Sequence, residues 1–155
     1  PDGAFKNSGV MFHAQNPNSM LLEQDFPISL ELQLLGGNGT DARPTANLCT
    51  PGTEVEMSGV KVQAHCTNST SETFHDDEWV TVELIVHADT VVSHLVNGEK
   101  VLGYEQLTIG GGSVDGFDDA MKLDGQPLGH GYIALQSESH PVQFRRVLLR
   151  QLTGG

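Results

Sequence analysis

The sequence predicts an all-β protein, a two-sheet antiparallel sandwich of jelly-roll type. Three observations carry that expectation. Segments with two-residue apolar alternation or β-branched runs recur along the chain at hairpin spacing. No strand–helix–strand alternation interrupts them. Finally, 18 Gly and 7 Pro against only 18% charged residues describe a turn-rich chain better than a helical one.

The elements follow in order. Asn7 to Gln15 reads as an early strand. From Ser29 to Leu35, Leu30, Leu32 and Leu34 share one face while Ser29, Glu31 and Gln33 share the other. Val80 to Val86 alternates again, and the run Val91 to Val96 ends at Asn97-Gly98, a strong hairpin signal, with Lys100-Val101-Leu102 resuming after it. Gly131 to Glu138 places Ile133 and Leu135 opposite Gln136 and Glu138, and Val142 to Leu152 supplies a last long strand. The expected core includes Leu30, Leu32, Val82, Leu84, Ile133, Leu135 and Phe144. Asp115 to Lys122 forms one short helical turn at most. Two long irregular stretches remain, Gly36 to Thr73 and Leu107 to Gly129, and loops of that length are usually functional or internally stapled.

With 155 residues and no linker or repeat, the whole span 1–155 is expected to be one β-sandwich domain. A formal net charge of −12 opposes nucleic acid and anionic membrane surfaces as partners. No apolar run of about 18 residues offers a membrane span. The opening PDGAFKNSGV has neither a basic start nor an apolar core of a secretion signal. Cys49 and Cys66 both fall in the first long stretch. An even count without C-x-x-C spacing argues against a zinc or redox motif and favours a disulfide in an oxidising compartment; two buried thiols in a reducing one is the other reading. Asn38-Gly39-Thr40 and Asn68-Ser69-Thr70 have the glycosylation-acceptor pattern.

Strand parity puts Glu31 with Gln33, and Gln136 with Glu138, on polar strand faces. Should the two strands share a sheet, four amide and carboxylate groups converge, the donors and acceptors that sugar hydroxyls need. The same pattern also describes the solvated side of any amphipathic sheet. Arg145 is a scarce cation, suited either to an ion pair or to a ligand clamp. None of the seven histidines forms H-x-H or H-E-x-x-H. His13 and His94 lie on strands, where a neutral imidazole serves as hydrogen-bonded scaffold or as general base. Asp115, Asp118, Asp119 and Asp124 cluster in the second long stretch, offering hard oxygen donors of the kind Ca²⁺ accepts, without the EF-hand spacing.

The run Gly131-Tyr132-Ile133-Ala134-Leu135-Gln136-Ser137-Glu138, followed by Pro141-Val142-Gln143-Phe144-Arg145-Arg146-Val147, resembles the G-x-I-x-L-Q-x-E…P-V-x-F-R-N-I signature of the 3-keto-disaccharide hydrolase-like family. Asn7-Ser8-Gly9-Val10, Glu31-Leu32-Gln33-Leu34, Trp79 and His94-Leu95-Val96-Asn97-Gly98 resemble further family motifs, in the family's order. The resemblance implies a concanavalin A-like sandwich with a sugar-handling face, carbohydrate as partner, and an extracellular or periplasmic location. Family members usually carry residues ahead of N-S-G that form the first strands, so the span is expected to lack those strands. His13 stands where the family often has Arg, and Gly36 where it often has Asp.

Two classes of function are open. In the first, an enzyme acts on 3-keto-glycosides: a base removes the acidified C2 proton, the enolate expels the C1 substituent, and water adds. His13, His94 and Glu138 are the candidate bases; Arg145, Gln33, Gln136 or a divalent cation held by Glu31 and a histidine would stabilise the enolate. In the second, the domain is a non-catalytic carbohydrate-binding or adhesion module of a larger extracellular protein. A third reading is a structural subunit whose edge strands pair with another chain.

Overall fold

The computed structural model describes residues 5–152 as two antiparallel five-stranded sheets packed face to face. In chain order the strands are β1 (Asn7–Ala14), β2 (Leu30–Leu35), β3 (Asn47–Cys49), β4 (Thr53–Met57), β5 (Val60–Lys61), β6 (Cys66–Thr67), β7 (Val82–His87), β8 (Val91–Val96), β9 (Glu99–Ile109) and β10 (Tyr132–Glu138). The first sheet runs β10-β1-β2-β3-β6 and the second β5-β4-β9-β8-β7. Among the described residues helix is confined to short 3₁₀ turns at Pro17–Ser19 and Asp119–Met121. The all-β sandwich expected from the alternation is therefore present.

The core forms where the apolar faces meet. Phe12, Leu30 and Leu48 of the first sheet pack with Val55, Val92, Tyr104 and Leu107 of the second, and Leu32 joins Ala46 and Val96 in a second cluster. Fully burying one such leucine stabilises by about 1.5–3 kcal/mol, so these positions fix which face of each strand turns inward. Val82 and Leu84 are half-buried against the clusters. At the β8–β9 hairpin, Asn97 and Gly98 take φ of 50° and 86°, the left-handed pair that a tight two-residue turn requires.

Other expectations need correction. The first long stretch is not irregular throughout, because it holds β3 to β6. Residues 142–152 form no strand: Arg146 turns to φ 55°, breaking the extended run. Without a strand over that flank, Ile133 and Leu135 on edge strand β10 stay 56% and 44% exposed, and Phe144 is only half-buried. The Cys49–Cys66 disulfide is formed, pairing β3 with the edge strand β6 across a sequence separation of 17.

Candidate sugar-handling face on the first sheet

The outward face of the first sheet is assembled by strand register. Gly9 on β1 stands opposite both Gln33 on β2 and Gln136 on β10. Asn7 is opposite Glu138, and Asn47 on β3 is opposite Gln33. Direct partners in a ladder point the same way, so these side chains and Glu31, two residues from Gln33, share one face. The other face of the same strands carries Val10, Phe12, Leu30, Leu32 and Leu48 toward the interior. Glu31, Gln33, Gln136 and Glu138 are thus on one surface.

Glu31 is its centre. The carboxylate leans across β1, where Gly9 leaves the space open: a Cβ at that position would overlap Glu31 Oε1. This lets the Gln136 Nε2 amide donate to Glu31 Oε1 at 2.7 Å, joining β2 to β10 over the intervening strand. Glu31 is only 6% exposed, and its burial raises the carboxyl above its usual value. The Gln136 hydrogen bond opposes that rise and the Glu138 charge adds to it. A carboxylate held in this way is a stronger base than one in water.

Amides flank it on both sides. Asn47, fully buried, donates from Nδ2 to Gln33 Oε1 at 3.2 Å and to Pro44 O at 2.9 Å, while its Oδ1 accepts from the Ser69 N–H at 2.9 Å. Gln33 is therefore oriented with its oxygen toward Asn47, which points its amide nitrogen away from that residue. At the other end Asn7 donates to Glu138 Oε2 at 2.5 Å. Asn7 Oδ1 is sealed from solvent with no hydrogen-bond partner among the described residues.

The remaining sequence candidates lie elsewhere. His13 sits in a bulge of β1 at φ 47° and reaches the β7–β8 turn, where its Nε2 is 3.0 Å from Ala88 O. Burial lowers its basicity, partly offset by the Ala88 contact; His130 lowers it further and Asp89 raises it. His94 is fully buried in the core, with Nδ1 2.9 Å from Ala46 O and Nε2 2.9 Å from the Tyr104 hydroxyl. Burial brings its pKa down to about 4, despite the Ala46 hydrogen bond. Arg145 stacks its guanidinium 3.9 Å from the centre of the Trp79 ring, so its partner is an aromatic and not a carboxylate.

Three of the four loop aspartates make local contacts, Asp115 through its main-chain N–H and Asp118 and Asp124 through their carboxylates. The Asp115 N–H donates to Asp25, Asp118 caps the turn that begins at Asp119, and Asp124 pairs with Lys122 at 2.6 Å. Among the described residues the four form no convergent set of three donors, and neither Glu31 nor Glu138 belongs to one. The hydrogen-bond partner of the Glu31 carboxylate is the Gln136 amide, the Glu138 charge acts on it as well, and no histidine joins Glu31 in a group of three donors among the described residues. Asn47 was not legible beforehand, lying in a three-residue strand inside a stretch with little alternation. The role of Gly9 as the gap beneath a carboxylate was equally hidden.

An antiparallel jelly-roll sandwich with a row of carboxylates and amides across one outer sheet face is the class of protein these features define. The chain belongs to the 3-keto-alpha-glucoside-1,2-lyase-like domain family, matching it over residues 1–150. No curated protein and no solved structure matches the chain.

Proposed function

We propose that the domain acts on 3-keto-glycosides, with Glu31 as the base that removes the C2 proton. The observation that carries this is the buried Glu31 carboxylate, made more basic by desolvation and fixed by Gln136 over Gly9. A ketone at C3 acidifies the C2 proton, which brings it within reach of a carboxylate of raised basicity. The proton passes from C2 to Glu31, and the electron pair moves into the enolate. The amide nitrogen of Gln33 hydrogen-bonds the developing enolate oxygen. Collapse of the enolate breaks the C1–O bond, and water then adds at C1, completing net hydrolysis without the paired carboxyl groups of ordinary glycosidases. Glu138, oriented by Asn7, accepts hydrogen bonds from sugar hydroxyls. No step passes through a metal.

The disulfide supports an oxidising compartment, extracellular or periplasmic, as the place of action. Among the described residues no helix is long and apolar enough to cross a membrane.

A second reading, a non-catalytic glycan-binding module, draws on one specific observation. The only arginine proposed for the face, Arg145, is engaged by Trp79, so the face has no permanent cation from that residue for an enolate. Incubation with a 3-keto-glycoside separates the two. Aglycone release that falls at least about 100-fold in Glu31→Gln supports the enzyme. Absence of release together with saturable binding of unoxidised glycans assigns the domain to the binding class.

A further inference from the structure

The clasp between β3 and β6 brings together more than two cysteines. Cys49 and Cys66 are direct cross-strand partners, and His65 immediately precedes Cys66. The Cys49 and Cys66 sulfurs and a His65 ring nitrogen all lie within 4.8 Å of one another, the single group of three metal-donor side chains among the described residues. Their separation in sequence conceals this; the register of a two-residue edge strand creates it. His65 is held at its backbone, where its carbonyl accepts from the Thr50 N–H at 2.9 Å and the Thr50 hydroxyl at 3.2 Å. Cys49 is 2% exposed and forms the inner wall, while His65 and Cys66 face solvent.

The geometry points to a reduction-gated metal site at Cys49, His65 and Cys66, selective for a thiophilic cation such as Zn²⁺. While the disulfide is closed, neither sulfur is a thiolate and the group has one good donor, His65. A dithiol reductant transfers two electrons and two protons to the S–S bond and is itself oxidised to a disulfide, leaving two thiols. Metal binding then displaces both thiol protons, giving two thiolates and one neutral imidazole on the cation. In a tetrahedral site with Zn–S of about 2.3 Å and Zn–N of about 2.0–2.1 Å, such donors lie about 3.6–3.8 Å apart. The sulfurs must therefore part from bonding distance, a displacement within reach of side-chain rotation for Cys66 on an edge strand. A His65 ring nitrogen stands within 4.8 Å of both sulfurs, so a small rotation of its exposed side chain completes the approach. Two sulfurs and one nitrogen leave a fourth position for water, on the side where His65 and Cys66 are open. Thiolate donors also favour Zn²⁺ over Ca²⁺ or Mg²⁺, which take oxygen ligands.

The test uses the full chain, reduced with dithiothreitol and desalted without oxygen. Titration with Zn²⁺ is expected to show about one ion bound per chain, at least about 100-fold more tightly than by the disulfide form. Co²⁺ in its place is expected to give the visible bands of a tetrahedral site and near-ultraviolet thiolate-to-metal charge transfer. The exposed-site variant His65→Ala, which leaves the core untouched, is expected to weaken Zn²⁺ by about 10-fold or more and to alter the Co²⁺ spectrum. Far-ultraviolet circular dichroism run in parallel is expected to retain the β signal on reduction. Equal Zn²⁺ affinity of reduced and disulfide forms, an unchanged affinity in His65→Ala, or loss of the β signal before metal binds would each overturn the site.

Discussion

Glu31 draws its chemistry from its neighbours. A glutamate on the polar side of a strand would ordinarily point into water; here the missing side chain at Gly9 lets it lie flat across β1 and meet Gln136. Gly9→Ala would force the carboxylate aside, at a cost of about 1–3 kcal/mol for the overpacked contact. The expected result is a lowered urea midpoint and loss of any activity that depends on Glu31, whereas an unchanged midpoint contradicts the contact. His94 makes the opposite case of a polar residue used for packing. Its folded-state pKa, about 4, lies below the ordinary value of 6.5, so the unfolded chain binds the proton more readily. Stability from the neutral imidazole is thus complete above about pH 6.5 and declines as pH falls toward 4, by roughly 3 kcal/mol in total. Urea unfolding at pH 7 and pH 5 measures this. The wild type is expected to lose stability over that interval, and His94→Gln to lose less. Equal slopes would remove His94 as the cause.

At the scale of elements, alternation made the polar pairs on β2 and β10 legible, because parity alone decides which side chains share a face. The link between the pairs was not legible, since it depends on β1 lying between them with a glycine at the crossing point. His13 followed the parity of its strand only as far as the bulge, whose left-handed backbone turns the ring toward Ala88. The run from Val142 to Leu152 has strand composition, yet Arg146 breaks its extension and Arg145 is drawn to Trp79. Local β-propensity does not by itself supply a ladder partner. The β3–β6 pairing shows the converse, because two short strands with little pattern are fixed by a covalent link. Replacing both cysteines by serine is expected to lower unfolding free energy by about 3 kcal/mol, the chain-entropy value for a loop of this size. A denaturation midpoint equal to that of the wild type would show that the clasp adds nothing to the fold.

Over the whole molecule, the two sheets divide the work. Apolar residues from both sheets build the interior, and the outer face of the first is left free to carry Asn7, Glu31, Gln33, Asn47, Gln136 and Glu138. The acidic surface, at net charge −12, favours a neutral ligand over an anionic one, in keeping with an uncharged sugar. In the proposed reaction Glu31 takes the C2 proton of a 3-keto-glycoside. Proton exchange at that carbon, followed by nuclear magnetic resonance in D₂O, tests it most directly. Product formed by the wild-type domain is expected to carry deuterium at C2, and Glu31→Gln, still folded, to produce neither exchange nor aglycone release. Wild-type rates of exchange and release in Glu31→Gln would contradict it.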